Sequence, residues 1–301
     1  MANISEMLKS KMGQDMARKE ERQAERENLS TMREAALTEV TSNPESYQQF
    51  LTLQGDNIGC SAGNVALTMA QMPKATKIGT TSYWHEQGRY VIDEQMRSGA
   101  KVFVPPRNPQ YRGYLMGEYY DITQTSGKPM KAQIALTDNS PRMETALGAL
   151  MNTSPVPLIE GKSIETPALY DEESLLLIVN PSFGDSQVFA ALATEISHAK
   201  LHDRGRNTDY NRQDCQLDAE SVGYMICRRF NVECRPPESG NVARQYDGYE
   251  GIDRSEALEA LRSVARNMGD TVERSIAPKQ QTQSNNRSNT RNNTRRSYGS
   301  R

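Results

Sequence analysis

Hydrophobic and polar positions divide the chain into a charged start, a mixed middle and a mainly helical remainder. Residues 1–44 are rich in Lys, Arg, Glu, Gln, Ala and Met, and Asn43-Pro44 ends this pattern. The composition favours a helix, and its closely spaced mixed charges are typical of a solvated face. The alternative is a helix that lies against DNA or a partner.

Residues 45–130 predict one or two helices followed by a small sheet. An apolar stretch at residues 65–72 stops at Pro73, and aromatic and β-branched runs follow between Gly and Pro. Strands are predicted at residues 90–92, 101–104 and 119–123, each bounded by turn-forming residues. This segment therefore predicts a small α+β domain.

The remaining pattern is mainly helical. Residues 131–235 predict a helix at 143–151, an apolar strand at 175–179 and helices at roughly 186–203 and 213–230. Residues 236–277 form a helical extension, whereas residues 278–301 are rich in Arg, Asn and Ser and have almost nothing to bury. The predicted class is α+β: a small α+β domain, a mainly helical domain and a disordered basic tail.

Charge and cysteine content narrow the function classes. The 301 residues contain 36 Lys and Arg against 38 Asp and Glu, so any affinity for nucleic acid must come from a local patch. Four cysteines without a CxxC pair fit a reducing compartment. The N-terminus does not resemble a signal peptide, and no segment approaches the roughly 18 apolar residues of a membrane span. We expect a cytoplasmic protein with no membrane partner.

Basic and aromatic residues alternate in the middle segment, as they do in proteins that bind single strands through a cationic groove and stacking rings. We expect Arg89 and Lys101 to contact phosphate, and Tyr83 or Tyr90 to stack on bases, with Trp84 in the same stretch. The alternative places Trp84 in the core of a small sheet behind a solvated basic rim.

The order of short motifs in this segment resembles a known family. Residues 73–79, Tyr83-Trp84 with Gly88-Arg89, residues 99–106 and residues 120–127 follow the pattern of the ArdC-like single-stranded-DNA-binding domain. The resemblance implies a protein of plasmids or conjugative elements that binds and protects incoming single strands, as antirestriction proteins do. One departure is the turn 98–101, Ser-Gly-Ala-Lys, where relatives often have Gly-Glu-Lys-Gly.

A second resemblance concerns the two predicted helices after the apolar strand. The segments at residues 194–202, TEISHAKLH, and 217–224, LDAESVGY, resemble the zincin active site of ArdC-like and ImmA/IrrE-like metallopeptidases. In that family a His-Glu-x-x-His motif and a Glu on the next helix hold zinc. The resemblance implies zinc ligands at His198 and Glu220 and a general base at Glu195.

The first zinc histidine is replaced by Thr194, whose neutral hydroxyl is a poor zinc ligand. His198 and His202 lie four residues apart and could instead hold zinc with Glu220 or Asp218. The remaining alternative is a site without metal, whose polar groups pair with Arg204 or Arg206.

Two function hypotheses follow. The first is a single-stranded-DNA-binding, antirestriction-like accessory protein with an inactive zincin-like domain. The second is an active zinc-dependent endopeptidase that cleaves a regulatory protein. A purely structural protein that works through its charged ends is a third, simpler hypothesis.

Overall fold

The computed structural model describes residues 3–277 apart from residues 107, 109 and 111. Its helices are α1 (Ile4–Ser42), α2 (Pro44–Asp56), α3 (Ala62–Gln71), α4 (Thr81–Glu86), α5 (Pro141–Met151), α6 (Asp185–Leu201), α7 (Arg212–Arg229), α8 (Val242–Gln245) and α9 (Gly251–Ile276). Its strands are β1 (Ile78–Gly79), β2 (Arg89–Val91), β3 (Ala100–Val104), β4 (Leu115–Asp121), β5 (Thr125–Gly127), β6 (Leu158–Glu160), β7 (Ala168–Asp171) and β8 (Leu176–Val179). The predicted α+β class is confirmed. The expected disorder of residues 278–301 concerns a segment outside the described residues.

Each predicted helix and strand is present, with ends shifted by a few residues. The strand predicted at residues 119–123 is the end of the longer β4, and a 3-10 turn at Ile122–Gln124 follows it. Asp121 stops the strand because its carboxylate caps this turn and also accepts the backbone N–H groups of Thr76 and Lys77.

The first half contains two small antiparallel sheets. One has the order β1-β4-β3, and the other pairs β2 with β5. Helix α3 packs against β3, and Asn64 of α3 bonds both backbone groups of Phe103. Helix α4 and strand β2 follow β1 in the chain, and α4 contacts both β1 and β4.

The second half packs helices on a three-stranded sheet of order β6-β8-β7. Strand β8 is parallel to β6 and antiparallel to β7, which leaves β7 at an edge. Helix α6 covers β7, and α7 packs against α6, α2 and α9. This arrangement places α6 and α7, which carry residues 194–202 and 217–224, beside an open sheet edge.

One hydrophobic core joins the two halves, from Leu29 of α1 to Val272 of α9. The beginning of α1 is exposed, but Leu37 and Val40 near its end are fully buried. The expectation of a solvated helix therefore holds only for its first part. The proposed boundaries near residues 44, 130 and 235 lie at connections between elements, although the core crosses them. Within the described residues, no helix is long and apolar enough to span a membrane.

The close approach of α2 and α7 at Gly55 gives a stability prediction. A Cβ at Gly55 would lie 2.8 Å from Arg228 Cβ and 3.2 Å from the Met225 backbone, whereas Gly148, exposed in α5, has open space. We expect Gly55→Ala to lower the free energy of unfolding by about 1–3 kcal/mol, and Gly148→Ala to raise it by about 0.5–1 kcal/mol. Urea unfolding of both variants measures the difference, and equal effects would contradict this packing.

Candidate functional site

Helices α6 and α7 bring together the polar residues predicted from the second resemblance, a group that we call the α6–α7 site: Glu195, His198, His202 and Glu220. Glu195 is only 8% exposed and His198 is fully buried. Helix α7 begins at Arg212 because the Asn211 side chain caps it, accepting the N–H groups of Gln213 and Asp214. Arg212 in this first turn contacts Glu195.

The Glu195 carboxylate is held on both sides. Its two oxygens accept from Arg212 Nη2 at 2.6 and 2.8 Å, and the Tyr170 backbone N–H donates to it at 2.8 Å. Both carboxylate oxygens are therefore already engaged by hydrogen-bond donors. The geometry therefore does not support the expected role of Glu195 as a general base.

The contacts of His198 define its protonation. Gln216 donates from its amide nitrogen to Glu220 at 2.7 Å, so its amide oxygen faces His198 Nε2 at 3.1 Å. The proton therefore lies on Nε2, and Nδ1 accepts from the Tyr210 hydroxyl at 3.1 Å. Burial and the charge of Arg212 lower the pKa of His198 to about 4, and the hydrogen bond that Nε2 donates to Gln216 opposes this shift. The imidazole is neutral at pH 7.

His202 and Glu220 turn to different neighbours. His202 Nδ1 lies 2.7 Å from the Tyr170 hydroxyl, and its ring stacks on Tyr210 at 4.4 Å between centroids. Glu220 lines a separate polar cavity of about 730 Å³ on the outer side of α7. The Gln216 amide stands between His198 and Glu220, so these residues do not converge on one point.

The α6–α7 site does not fit a zinc ion. Zinc requires about four donor lone pairs directed at one position, but His198 Nε2 carries a proton and Glu195 is bound to a cation. Within residues 3–277 as described, no group of three or more His, Cys, Asp and Glu side chains could hold a metal ion. The expected ligand roles of His198, His202 and Glu220 therefore lack support in this geometry.

The cation that sequence analysis missed is Arg212. The two arginines considered as partners lie elsewhere, since Arg204 donates to the Pro155 carbonyl and Arg206 pairs with Asp203. Arg212 follows the helix-capping Asn211, and this start signal for α7 is visible in the sequence. Its contact with Glu195 depends on how the two helices pack, which no local pattern reveals.

Two of the predicted DNA contacts are structural in this arrangement. Trp84 is fully buried with Val91 and Tyr120, and its indole N–H donates to the Tyr120 carbonyl at 3.0 Å. A buried ring cannot stack on a base, so Trp84 takes the core position that the sequence left as an alternative. Arg89 donates to Thr125 Oγ1 and to the carbonyls of Thr125 and Lys128 at 2.7–2.9 Å. Its guanidinium joins β2 to β5 and is not a free phosphate ligand.

Lys101 and Tyr90 remain at the surface. The Lys101 side chain is 60% exposed, but its ammonium pairs with the Glu118 carboxylate at 2.7 Å across β3 and β4. Tyr90 is 59% exposed, and its ring meets His85 edge to face at 5.3 Å. Lys128 folds over Gly88, just before β2, where an added Cβ would lie 2.9 Å from Lys128 Cδ. We call His85, Tyr90 and Lys128 the aromatic patch.

Tyr83 has a different position from Tyr90. It is half-buried and packs edge to face on Trp84 at 5.1 Å between centroids. It lies against Gly79, where an added Cβ would come within 2.8 Å of the ring carbon Cγ. Tyr83 therefore faces a cleft on the opposite side of α4 from the aromatic patch.

Comparison with known proteins gives a weak structural likeness. No protein-family model and no curated protein matches the sequence. Among solved structures, the chain is similar to the antirestriction ArdC protein from plasmid R388, in its metal-free and Mn(II)-bound structures. Both comparisons give 16% identity and a TM-score of 0.45, over 71% and 72% of this chain and 84% and 85% of that chain. These values assign no function to the chain.

The pKa of His198 predicts a pH-dependent stability. The fold favours the neutral imidazole, so its contribution is complete above the ordinary pKa of 6.5 and is lost as the pH falls toward about 4. Between pH 7 and pH 5, we expect His198 to account for a loss of about 2 kcal/mol in the free energy of unfolding.

Urea unfolding at both pH values, in the wild type and in His198→Gln, isolates this term. His198→Gln should be less stable at both pH values. Its loss in the free energy of unfolding between pH 7 and pH 5 should be smaller than that of the wild type by about 2 kcal/mol. The same change in both proteins would show that His198 is not held neutral.

Proposed function

We propose that this chain is a single-stranded-DNA-binding, antirestriction-like accessory protein of a plasmid or conjugative element, and that the α6–α7 site is a structural unit without catalytic activity. The order of motifs between residues 73 and 127 supports the class of function. The observation that carries the proposal is the aromatic patch, which offers stacking surface beside a cation.

The aromatic patch has the properties that a sequence-tolerant single-strand site needs. Each base has a flat face, so an exposed ring stacks on any of them, at about 1–3 kcal/mol per base. The edge-to-face contact between His85 and Tyr90 holds both rings in place. This reduces the side-chain conformational entropy lost when a base binds. Glu86 and Asp93 line the depression beside Tyr90 and repel phosphate there, so this proposal assigns the phosphates to Lys128, which lies outside that depression.

The contacts of the α6–α7 site support a structural role. The endopeptidase alternative requires Glu195 to activate a water molecule and a metal to polarise a carbonyl. Glu195 is instead neutralised by Arg212, and His198 is bonded at both ring nitrogens. No observation on the described residues favours the endopeptidase.

The basic tail adds to this proposal as an electrostatic element. Its arginines lie within residues 278–301, outside the described residues, and no acidic residue accompanies them. Arginine and lysine charges neutralise phosphates whatever the base sequence. In this proposal the tail raises overall affinity, while the aromatic patch distinguishes single strands from duplexes.

The prediction for this proposal is a loss of single-strand binding when the aromatic patch is changed. We expect Tyr90→Ala and His85→Ala each to weaken binding to a 20-nucleotide dT oligomer by about 5- to 150-fold, which corresponds to one lost stacking contact. Tyr249→Ala, at a tyrosine that is 44% exposed and precedes α9, is the matched control and should bind like the wild type. Fluorescence anisotropy at fixed salt measures all three.

Duplex DNA of the same length provides the second comparison. Its bases are paired and stacked, so the aromatic patch cannot engage them, and we expect weaker binding that is unaffected by Tyr90→Ala. Equal affinity for both forms, or binding lost only when residues 278–301 are removed, would contradict a role for the folded surface.

A further inference from the structure

A cleft on the other side of α4 points to a more specific contact, and this inference rests on the proposed function. We propose that the cleft binds one nucleotide of the single strand, with its base against the half-buried Tyr83 and its phosphate near Lys77 and Lys131. We call this feature the nucleotide cleft.

Six parts of the chain form the nucleotide cleft. They are residues 55–60 at the end of α2 and the turn after it, the connection from β1 to α4 at 77–83, Tyr119 of β4, the segment 131–134, the end of α7 at 229–230 and Glu273 of α9. The volume is about 570 Å³, within the usual size of small-molecule sites, which is about 300–1,000 Å³. The pocket lies between two halves that share one core.

The charges that line the nucleotide cleft do not cancel. Asp56 pairs with Arg228 at 2.6 Å, and Glu273 pairs with Arg229. Lys77 donates to the backbone carbonyl of Asp56, and in the part of the chain that the structure describes no carboxylate lies within 4 Å of its ammonium.

Lys131 is exposed, and among the described residues its ammonium makes no hydrogen bond or ion pair. The charge of Asp56 still acts on Lys77, but Lys131 has no acidic partner among the described residues. The nucleotide cleft therefore favours an anion.

The other groups in the nucleotide cleft are neutral. Burial raises the pKa of Tyr83 and of the Cys60 thiol, and it raises the pKa of Tyr119 well above its ordinary range. Burial lowers the pKa of Lys77, and a bound phosphate would reverse that shift. Neutral aromatic walls beside two cations suit a ligand with a flat part and an anionic part, which a nucleotide has and a free phosphate lacks.

The polar side chains of the cleft indicate little preference among bases. The Asn57 amide nitrogen donates to the carbonyls of Leu53 and Thr76, and its amide oxygen accepts from the Ile78 N–H. Gln133 donates to the carbonyls at the end of α7. With these groups engaged, recognition depends on stacking and charge, so any base can enter.

The position of the cleft connects it to the aromatic patch. Tyr83 and His85 lie two residues apart on the six-residue helix α4 and face different depressions. A single strand that crosses α4 reaches both. An aromatic, acidic peptide shares the same chemistry, and the test below distinguishes the two ligands.

The experiment uses the full chain and a 15-nucleotide dT oligomer with one central 2-aminopurine, whose fluorescence is quenched when it stacks on an aromatic ring. Lys131→Gln removes an exposed charge that has no structural contact, and Tyr83→Leu removes the stacking face. Lys162→Gln, at a lysine that is 69% exposed beside β6, is the matched charge control. Circular dichroism checks the fold of each variant.

We expect quenching with the wild type and with Lys162→Gln. Lys131→Gln should reduce the slope of log affinity against log salt by about 0.7, the value for one phosphate contact on a single strand. Tyr83→Leu should weaken binding by about 5- to 150-fold and relieve the quenching.

Each other outcome overturns the inference in a recognisable way. No binding by the wild type removes the proposed function together with the nucleotide cleft. Binding that depends on Tyr90 but is unchanged in affinity, quenching and salt slope by Lys131→Gln and Tyr83→Leu removes the cleft alone. Release of the oligomer from the cleft by a Glu- and Tyr-rich peptide, at lower concentration than by unlabelled dT oligomer, assigns the cleft to a peptide.

Discussion

The ion pair between Glu195 and Arg212 is the constraint on which the second half of this protein depends. The two side chains also bond the backbone of Tyr170 in β7: Glu195 accepts its N–H, and Arg212 donates to its carbonyl at 3.2 Å. Because β7 is an edge strand, these two groups have no strand partner on that side. One ion pair therefore joins α6 to α7 and satisfies the edge of the sheet that both helices cover.

The remaining polar groups take their arrangement from this pair. The Tyr170 ring, fixed by its backbone contacts, bonds His202 through its hydroxyl, and Tyr210 bonds His198. The positive charge of Arg212 opposes a second charge on His198, which remains neutral. A chain of hydrogen bonds then occupies the space between α6 and α7.

Regular elements and the α+β class were predictable because apolar periodicity, caps and turn residues act locally. Helices α6 and α7 lie close to their predicted limits for this reason. The roles of individual side chains were less predictable. Trp84 and Arg89 looked like DNA contacts, yet pairing of β2 with β5 and the packing of Trp84 against β4 bury or engage them. Arg212 was overlooked because its partner lies 17 residues earlier, on another helix.

The most direct test of this account is a double-mutant cycle on Glu195→Gln and Arg212→Gln, with free energies of unfolding measured in urea. The side chains of the pair are partly exposed, by 10% for Glu195 and 29% for Arg212. The coupling should therefore lie between that of surface ion pairs and that of fully buried ones. We predict a favourable coupling of about 1–3 kcal/mol. The two single variants should together lose more free energy of unfolding than the double variant does, by that amount. A coupling near zero would show that Glu195 is free of Arg212 and available for other chemistry, which would contradict the account.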